Sequence, residues 1–295
     1  EDNADSLLNS ADLAMSEAKH LKANEKIYIY EPTLSEDVRH RRQLEIDLNS
    51  PELDTQLQLY YQAQIGKGDV LHGAETLIRW KHPTLGFVPP NKFIMIAEES
   101  RQILKVGAWV LYHAFMQVKK WTATHPNFNL SINISPIQFH EAEFVNHIRD
   151  LLNHTDVNPR NITLELTEGV LISDTESALN KIEKLDRLGF KISIDDFGTG
   201  YSSLSYLQRL PIHELKIDKS FIFRVPDSKE DIAIVESIIR LAQTKNLTIV
   251  AEGVETQQQV DFLRKQPDNI LIQGFFYSRP VEAEAFEQAF LNLDS

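Results

Sequence analysis

TESALNKIEKLDRLGFKISIDDFGTG, residues 175–200, is the stretch from which the fold can be read. Thr175–Leu188 has the length and pattern of an amphipathic helix. Gly189 stands just past its end, where a C′ glycine belongs. Lys191–Ile194 then alternates apolar and polar residues as a strand does, and Asp195 and Asp196 close it side by side. Adjacent carboxylates repel, so a strand ending this way needs a source of positive charge nearby. Gly198 and Gly200 let the following loop turn sharply.

The same helix–strand rhythm extends in both directions. Strands are expected at Gln58–Ile65, Leu71–Trp80, Asn129–Ile134, Ile162–Leu166, Lys191–Ile194, Glu214–Ile217, Thr248–Ala251 and Ile270–Ile272. Helices are expected at Gln138–His154, Thr175–Leu188, Lys229–Lys245 and Thr256–Arg264, with Ser228 and Thr256 as N-caps. Eight strands over about 250 residues, most joined by helices, predict an α/β fold of the closed (β/α)₈ TIM-like barrel type. An open doubly wound sheet is the alternative, but no GxGxxG follows an early strand. Residues 1–32 read differently. A single helix bearing Leu7, Leu8, Ala11, Ala14 and Met15, and a strand Ile27–Tyr30, cannot bury a core and look like the C-terminal remnant of another domain. Residues 33–40 read as a polar linker and 41–295 as the barrel.

The 295 residues are 42% hydrophobic and 25% charged, enough for a large core. No apolar run approaches the roughly 20 residues that cross a bilayer. The chain starts at Glu1 rather than Met, which reads as an excised fragment. A cytoplasmic fragment is expected, from a protein anchored to the inner membrane if a membrane segment lies upstream. The absence of cysteine excludes disulfides and zinc–thiolate sites. A net charge of −13 argues against gripping a nucleic-acid polymer.

The strand ends carry the chemistry. Strand two contains Glu75, with Arg79 four residues on; strand three ends in SINIS with Asn133; strand four in LELTE with Glu165 and Glu168. Strand five ends in Asp195 and Asp196, strand six in LKID with Lys216 and Asp218, strand seven in AEGVE with Glu252 and Glu255, and strand eight in IQGFF with Gln273. Taken singly, each is accounted for as an N-cap or a solvated side chain. Gathered at one barrel mouth, so many acids require cations among them. Carboxylates and an amide, without cysteine or an apt histidine, suit Mg²⁺ or Mn²⁺; Ca²⁺ would fill the site without supporting the chemistry. One member of an adjacent aspartate pair can bridge two ions about 3.5–4 Å apart, an arrangement that clamps a phosphoryl group. His140, His147 and His154 recur every seven residues rather than at i, i+4, which fits a solvated face. Tyr60 and Tyr61 read as wall and core.

YYQAQ at 60–64, AETLIRW at 74–80, SINIS at 131–135, ELTE at 165–168, DDFGTGYSSL at 195–204, LKID at 215–218, AEGVE at 251–255 and QGFFYSRP at 273–280 together resemble the EAL-domain cyclic di-GMP phosphodiesterases, in the family's order. The opening segment likewise resembles the end of a GGDEF domain; the cyclase motif itself is absent. The resemblance implies hydrolysis of cyclic di-GMP to linear pGpG in a two-metal site. It implies Glu75, Asn133, Glu165 and Asp195 as ligands of one ion, Asp195 and Asp196 of the second, and Glu252 as a second-metal or water-orienting carboxylate. It places Lys216 by the attacking water. Gln62, Leu77, Arg79, Asp218 and Gln273 fall on the substrate side, with Arg79 on a phosphate and Gln273 helping to hold the nucleophile or the second metal. Glu168, Gly198, Thr199, Gly200 and Glu255 would couple the site to a homodimer interface. Upstream sensory and GGDEF domains are implied for the full-length protein.

Four departures stand out. Thr76 replaces the alanine of the signature triplet; alternation keeps Glu75 and Leu77 together on the other face, so the Thr76 hydroxyl must find a partner outside. Ala63 replaces a usual proline, Arg101-Gln102 a usual Gly-Leu, and Gly169 a frequent serine. None removes a ligand. The rival reading is a receptor that binds cyclic di-GMP without turning it over; the intact acid set favours the enzyme.

Overall fold

β1 (Leu57–Ile65) and β2 (Leu71–His82) are separated by only five residues, 66–70. A parallel crossover needs about a dozen, so this pair must be an antiparallel hairpin. In the computed structural model it is one, paired from Leu57↔Trp80 to Ile65↔Leu71. The structure describes residues 11, 15, 32–170, 175–198, 209–267 and 269–291. The helix and strand expected within residues 1–31 therefore lie outside the described residues, apart from positions 11 and 15.

The other strands are β3 (Gly86–Val88), β4 (Asn129–Ile134), β5 (Ile162–Thr167), β6 (Lys191–Phe197), β7 (Glu214–Ile217), β8 (Thr248–Ala251), β9 (Ile270–Ile272) and β10 (Val281–Glu282). Each of the eight barrel strands expected from the sequence is present. Their order is β10-β1-β9-β8-β7-β6-β5-β4-β2-β3, and the β1–β2 pairing closes β1, β2 and β4 to β9 into an eight-stranded barrel. The pairings from β2 through β4 to β9 are parallel. β1 is antiparallel to both barrel neighbours, a departure from a uniform (β/α)₈ barrel imposed by the short hairpin connection. β2 pairs with β4 only as far as Thr76↔Ile132. Beyond that point it pairs with β3, and β1 pairs with β10, so the hairpin stands above the rim as an antiparallel sheet.

Helices α1 (Pro32–Leu48), α2 (Pro90–Glu99), α3 (Ile103–Thr122), α4 (Phe144–Thr155), α5 (Thr175–Leu188), α6 (Lys229–Thr244) and α7 (Gln257–Arg264) surround the barrel. Ser228 caps α6 through Asp231 N–H. Thr256 and Gln259 form a reciprocal capping box on α7. The apolar core lies between strands and helices. Trp121 packs edge-on to Tyr61 at 4.7 Å and stacks on Phe286 at 5.1 Å, while Trp80 meets Phe93 at 5.5 Å.

Three local readings change. The expected linker 33–40 is helical, continuing as α1 to Leu48, because Leu44 and Leu48 bury against the barrel. The helix expected at Gln138–His154 is broken at 141–143 into Pro136–His140 and α4, so His140 does not share a helix with His147 and His154. Thr76 does face away from Glu75, but its buried hydroxyl has no hydrogen-bond partner. At the Gly-Leu position, Arg101 occupies the left-handed region at φ 59°, the conformation for which glycine is the usual choice.

Candidate metal and catalytic centre

Strict alternation along β6 would send Asp195 to one face of the barrel wall and Asp196 to the other. The register prevents this. Ile194 pairs with Leu215 and Phe197 with Ile217, so β6 carries one residue more than β7 between the same two pairs. Asp196 absorbs the extra residue at φ 54°, and its N–H donates to Asp195 Oδ1 at 2.9 Å. Both carboxylates thereby reach the mouth, where oxygens of Asp195, Asp196 and Glu252 lie within 4.8 Å of one another. The bulge resolves the aspartate pair into a bidentate corner.

Lys216 is fully buried directly beneath them. Its Nζ lies 2.8 Å from Glu165 Oε2, 2.8 Å from Glu252 Oε1, 3.4 Å from Glu75 Oε2 and 3.5 Å from Asp195 Oδ1. One ammonium thus serves four carboxylates from four strands. Glu75 is held from the other side as well. Asn133 Nδ2 donates to its Oε1 at 2.6 Å, and Gln273 Nε2 donates to its Oε2 at 2.5 Å. Gln273 Oε1 in turn accepts from Gln64 Nε2 at 3.1 Å, and Gln62 Nε2 donates to the Ser278 carbonyl at 3.0 Å. Glu165, nearly inaccessible, keeps Oε1 without a partner.

The electrostatics follow from this crowding. Burial raises the Glu165 pKa far above the carboxylate range against the pull of Lys216. Burial likewise pushes Glu252 up to about 7, Lys216 opposing and Asp195 and Glu75 reinforcing. Burial also tends to raise Glu75, but Lys216 and the Gln273 and Asn133 hydrogen bonds outweigh it and its pKa falls. Asp196 is raised by burial and by Asp195 and Asp218. Lys216 is raised well above its usual value because the surrounding acids overcome its burial.

Glu165 and Glu252 therefore take up protons at higher pH in the folded chain than in the unfolded one. That contribution to stability is complete below the ordinary glutamate value of 4.5 and is lost as pH rises through about 7. Urea unfolding in EDTA is expected to give a stability at about pH 8 lower by roughly 2 kcal/mol than at about pH 5.5. Saturating Mn²⁺ is expected to reverse the slope, because ionised carboxylates are the ligands. Equal stability in EDTA at the two pH values would contradict the raised acids.

The remaining residues singled out from the sequence are placed as follows. Leu77 and Arg79 line an apolar cleft of about 250 Å³ with Ile94, Val106, Ile134 and Pro136, where β2 parts from β4. Arg79 donates to the Ile78 carbonyl at 2.9 Å and lies over the Tyr60 ring at 5.4 Å. Asp218 caps the short helix Lys219–Ile222 through Ser220 N–H. Glu168 is buried and accepts from Gly198 N–H at 3.4 Å; Gly198 has φ 96°. Glu255 is exposed, ahead of α7, its N–H donating to Gln259. Thr199 and Gly200 lie outside the described residues. Tyr61 is core, and Tyr60 is half-buried with its hydroxyl on Glu282 at 2.9 Å. Gln64 and Ser278, which brace Gln273 and Gln62, are not evident from the polar residues at the strand ends. The signal for Gln64 was present as glutamines at 62 and 64 on one strand face.

A family model described as the EAL domain matches residues 43–280. The chain is 40% identical over 280 residues to the bifunctional diguanylate cyclase/cyclic di-GMP phosphodiesterase MucR of Pseudomonas aeruginosa, covering 94% of this chain and 41% of MucR. It is 36% identical over 289 residues to the cyclic di-GMP phosphodiesterase NbdA of the same organism, covering 97% of this chain and 37% of NbdA. The chain thus spans about two fifths of the length of these relatives. Among solved structures, the PaMucR phosphodiesterase in complex with c-di-GMP superposes with a TM-score of 0.79 at 41% identity, covering 83% of this chain and 99% of that one.

Proposed function

Because the chain belongs to the EAL domain family, we propose that it hydrolyses cyclic di-GMP to linear pGpG with the aid of two divalent metal ions. The observation that carries this reading is the acidic mouth itself: Asp195, Asp196 and Glu252 converge, with Glu75 and Glu165 behind them on a single buried lysine. The donor set fits hard cations, since it is all oxygen and Glu165 Oε1 is buried without a partner. Glu75, Asn133, Glu165 and Asp195 would hold one ion, and Asp195, Asp196 and Glu252 the other. Mg²⁺ or Mn²⁺ there supplies Lewis-acid polarisation and a water of lowered pKa.

The chain's own groups supply the rest. Gln273 and Asn133 fix the rotamer of Glu75. Lys216, kept cationic by its surroundings, presents positive charge to a phosphate oxygen, and Glu252 beside it orients the attacking water. Water oxygen bonds to phosphorus and gives up a proton to solvent, the P–O bond to the sugar breaks, and the leaving sugar oxygen takes up a proton from solvent, so that one water is consumed. The apolar cleft beside Leu77 receives a base, and Arg79 meets a phosphate.

Incubation with cyclic di-GMP is expected to yield pGpG with Mg²⁺ or Mn²⁺, and none with Ca²⁺ or EDTA. Tight binding without cleavage in Mn²⁺ would favour the receptor reading instead. Arg79→Ala is expected to raise KM by about tenfold, the loss of one charge-assisted contact, with kcat little changed. A fall in kcat alone would count against the phosphate role. The proposal includes a homodimer through the barrel, with Glu168 and Gly198 linking the interface to the site; sedimentation equilibrium tests it. It also includes a cytoplasmic location, in keeping with the finding that no described helix is long and apolar enough to cross a membrane.

A further inference from the structure

Small (β/α)₈ barrels are ordinarily filled by layers of bulky branched side chains. Register-paired residues of neighbouring strands share a face, so the pairings show what fills this one. One diagonal row runs Asn133–Glu165–Ser193–Glu214–Thr248 across β4 to β8. A second runs Glu75–Ser131–Thr163–Lys191 across β2, β4, β5 and β6. Both begin at the acidic mouth and end on the first residue of a strand, at the base of the barrel. On the β8 and β9 side the fill is apolar, with Val250 and Leu271 continuing the row of Lys216.

The rows are buried and their hydrogen bonding is incomplete. Ser131 and Ser193 are 0% exposed, Glu165 1% and Glu214 6%. Ser131 Oγ, Glu165 Oε1, Glu214 Oε1, Gln64 Oε1 and Asn129 Nδ2 have no hydrogen-bond partner. Ser193 Oγ lies against Glu214, close enough to pull that acid's pKa down against its burial, but forms no well-aligned hydrogen bond. One orphaned buried polar group costs about 1–3 kcal/mol, and folded proteins tolerate few. Several on adjoining inward-facing rows, beside small serine side chains, are the partners that buried water needs, two to four polar groups per molecule.

We propose that the barrel beneath the acidic mouth is a hydrated column, in which ordered waters bridge Ser131, Glu165, Ser193 and Glu214 and fix the direction in which Glu165 faces the mouth. Ser131, Ser193 and Glu214 are then positioning residues. The consequence for metal binding rests on the function proposed above; the hydration itself does not.

A high-resolution crystal structure of the chain is expected to show water within hydrogen-bond distance of Ser193 Oγ and Glu214 Oε1, below the proposed metal ligands. A dry interior, with those atoms bonded to one another, overturns the proposal. Ser193→Val deletes the hydroxyl and fills the space with methyl groups. Mn²⁺ affinity, read by electron paramagnetic resonance, is expected to fall by about tenfold in Ser193→Val and to be retained in Ser193→Thr. Parental affinity in Ser193→Val, with the waters present in the parent, overturns the positioning role. If the parent binds no Mn²⁺, the proposed function fails, while the crystal waters still decide the column.

Discussion

Asp195→Ala is expected to lower hydrolysis of cyclic di-GMP by on the order of a thousandfold, since a metal site supplies several kcal/mol of transition-state stabilisation and each 1.36 kcal/mol is tenfold. Asp195 is the residue common to both proposed ions, sitting between Lys216 at 3.5 Å and the Asp196 N–H at 2.9 Å. Its loss removes the shared donor and leaves the bulge without its internal hydrogen bond. The fold is expected to survive, because Asp195 is only part-buried and its removal relieves acid–acid repulsion. Turnover in Mn²⁺ and an Mn²⁺ titration check this together. Parental turnover would refute the two-ion scheme.

Lys216→Met is expected to have the largest effect on stability. The methionine matches the lysine in reach, but no cation remains among Glu75, Glu165, Asp195 and Glu252. Removing one partner of a buried ion pair costs about 3–5 kcal/mol, and here one partner serves several acids. Protonation of the acids offsets part of this, so the loss should be greatest at alkaline pH and in EDTA. Mn²⁺ is expected to restore much of the stability by taking over the missing charge, while turnover stays low. Urea midpoints in EDTA and in Mn²⁺ measure both; an unchanged midpoint in EDTA would show that Lys216 does not hold the acids together.

The alternation of apolar and polar residues made the barrel legible, and acids at the strand ends made its mouth legible. The reversed direction of β1 was equally present in the sequence, in the five residues between Ile65 and Leu71, yet counting strands alone passes over it. The bulge was not legible. Nothing in IDDF says that Asp196 will adopt φ 54°, because the cause lies in the register with β7. Lys216 read as a strand-end residue near water. Its burial among acids from four strands depends on barrel closure, which no local pattern encodes. The lower interior went unread for a related reason. Ser131, Ser193 and Glu214 alternate correctly within their strands, but hydroxyls in such short segments suit a solvated face as well as a barrel lumen.

The reversed hairpin fixes where the chain enters. A strand parallel to the rest would begin at the base of the barrel, whereas β1 begins at the rim, delivered there by α1 and the short helix Leu53–Gln56. α1 is moored beside that rim by Arg41 on Glu99 and by Asp47 on His82 at 2.9 Å. Anything joined ahead of Pro32 would therefore tug on the working end of the molecule rather than on its foot. A torque on that helix would reach β2, and with it Glu75 and Arg79, through one hairpin.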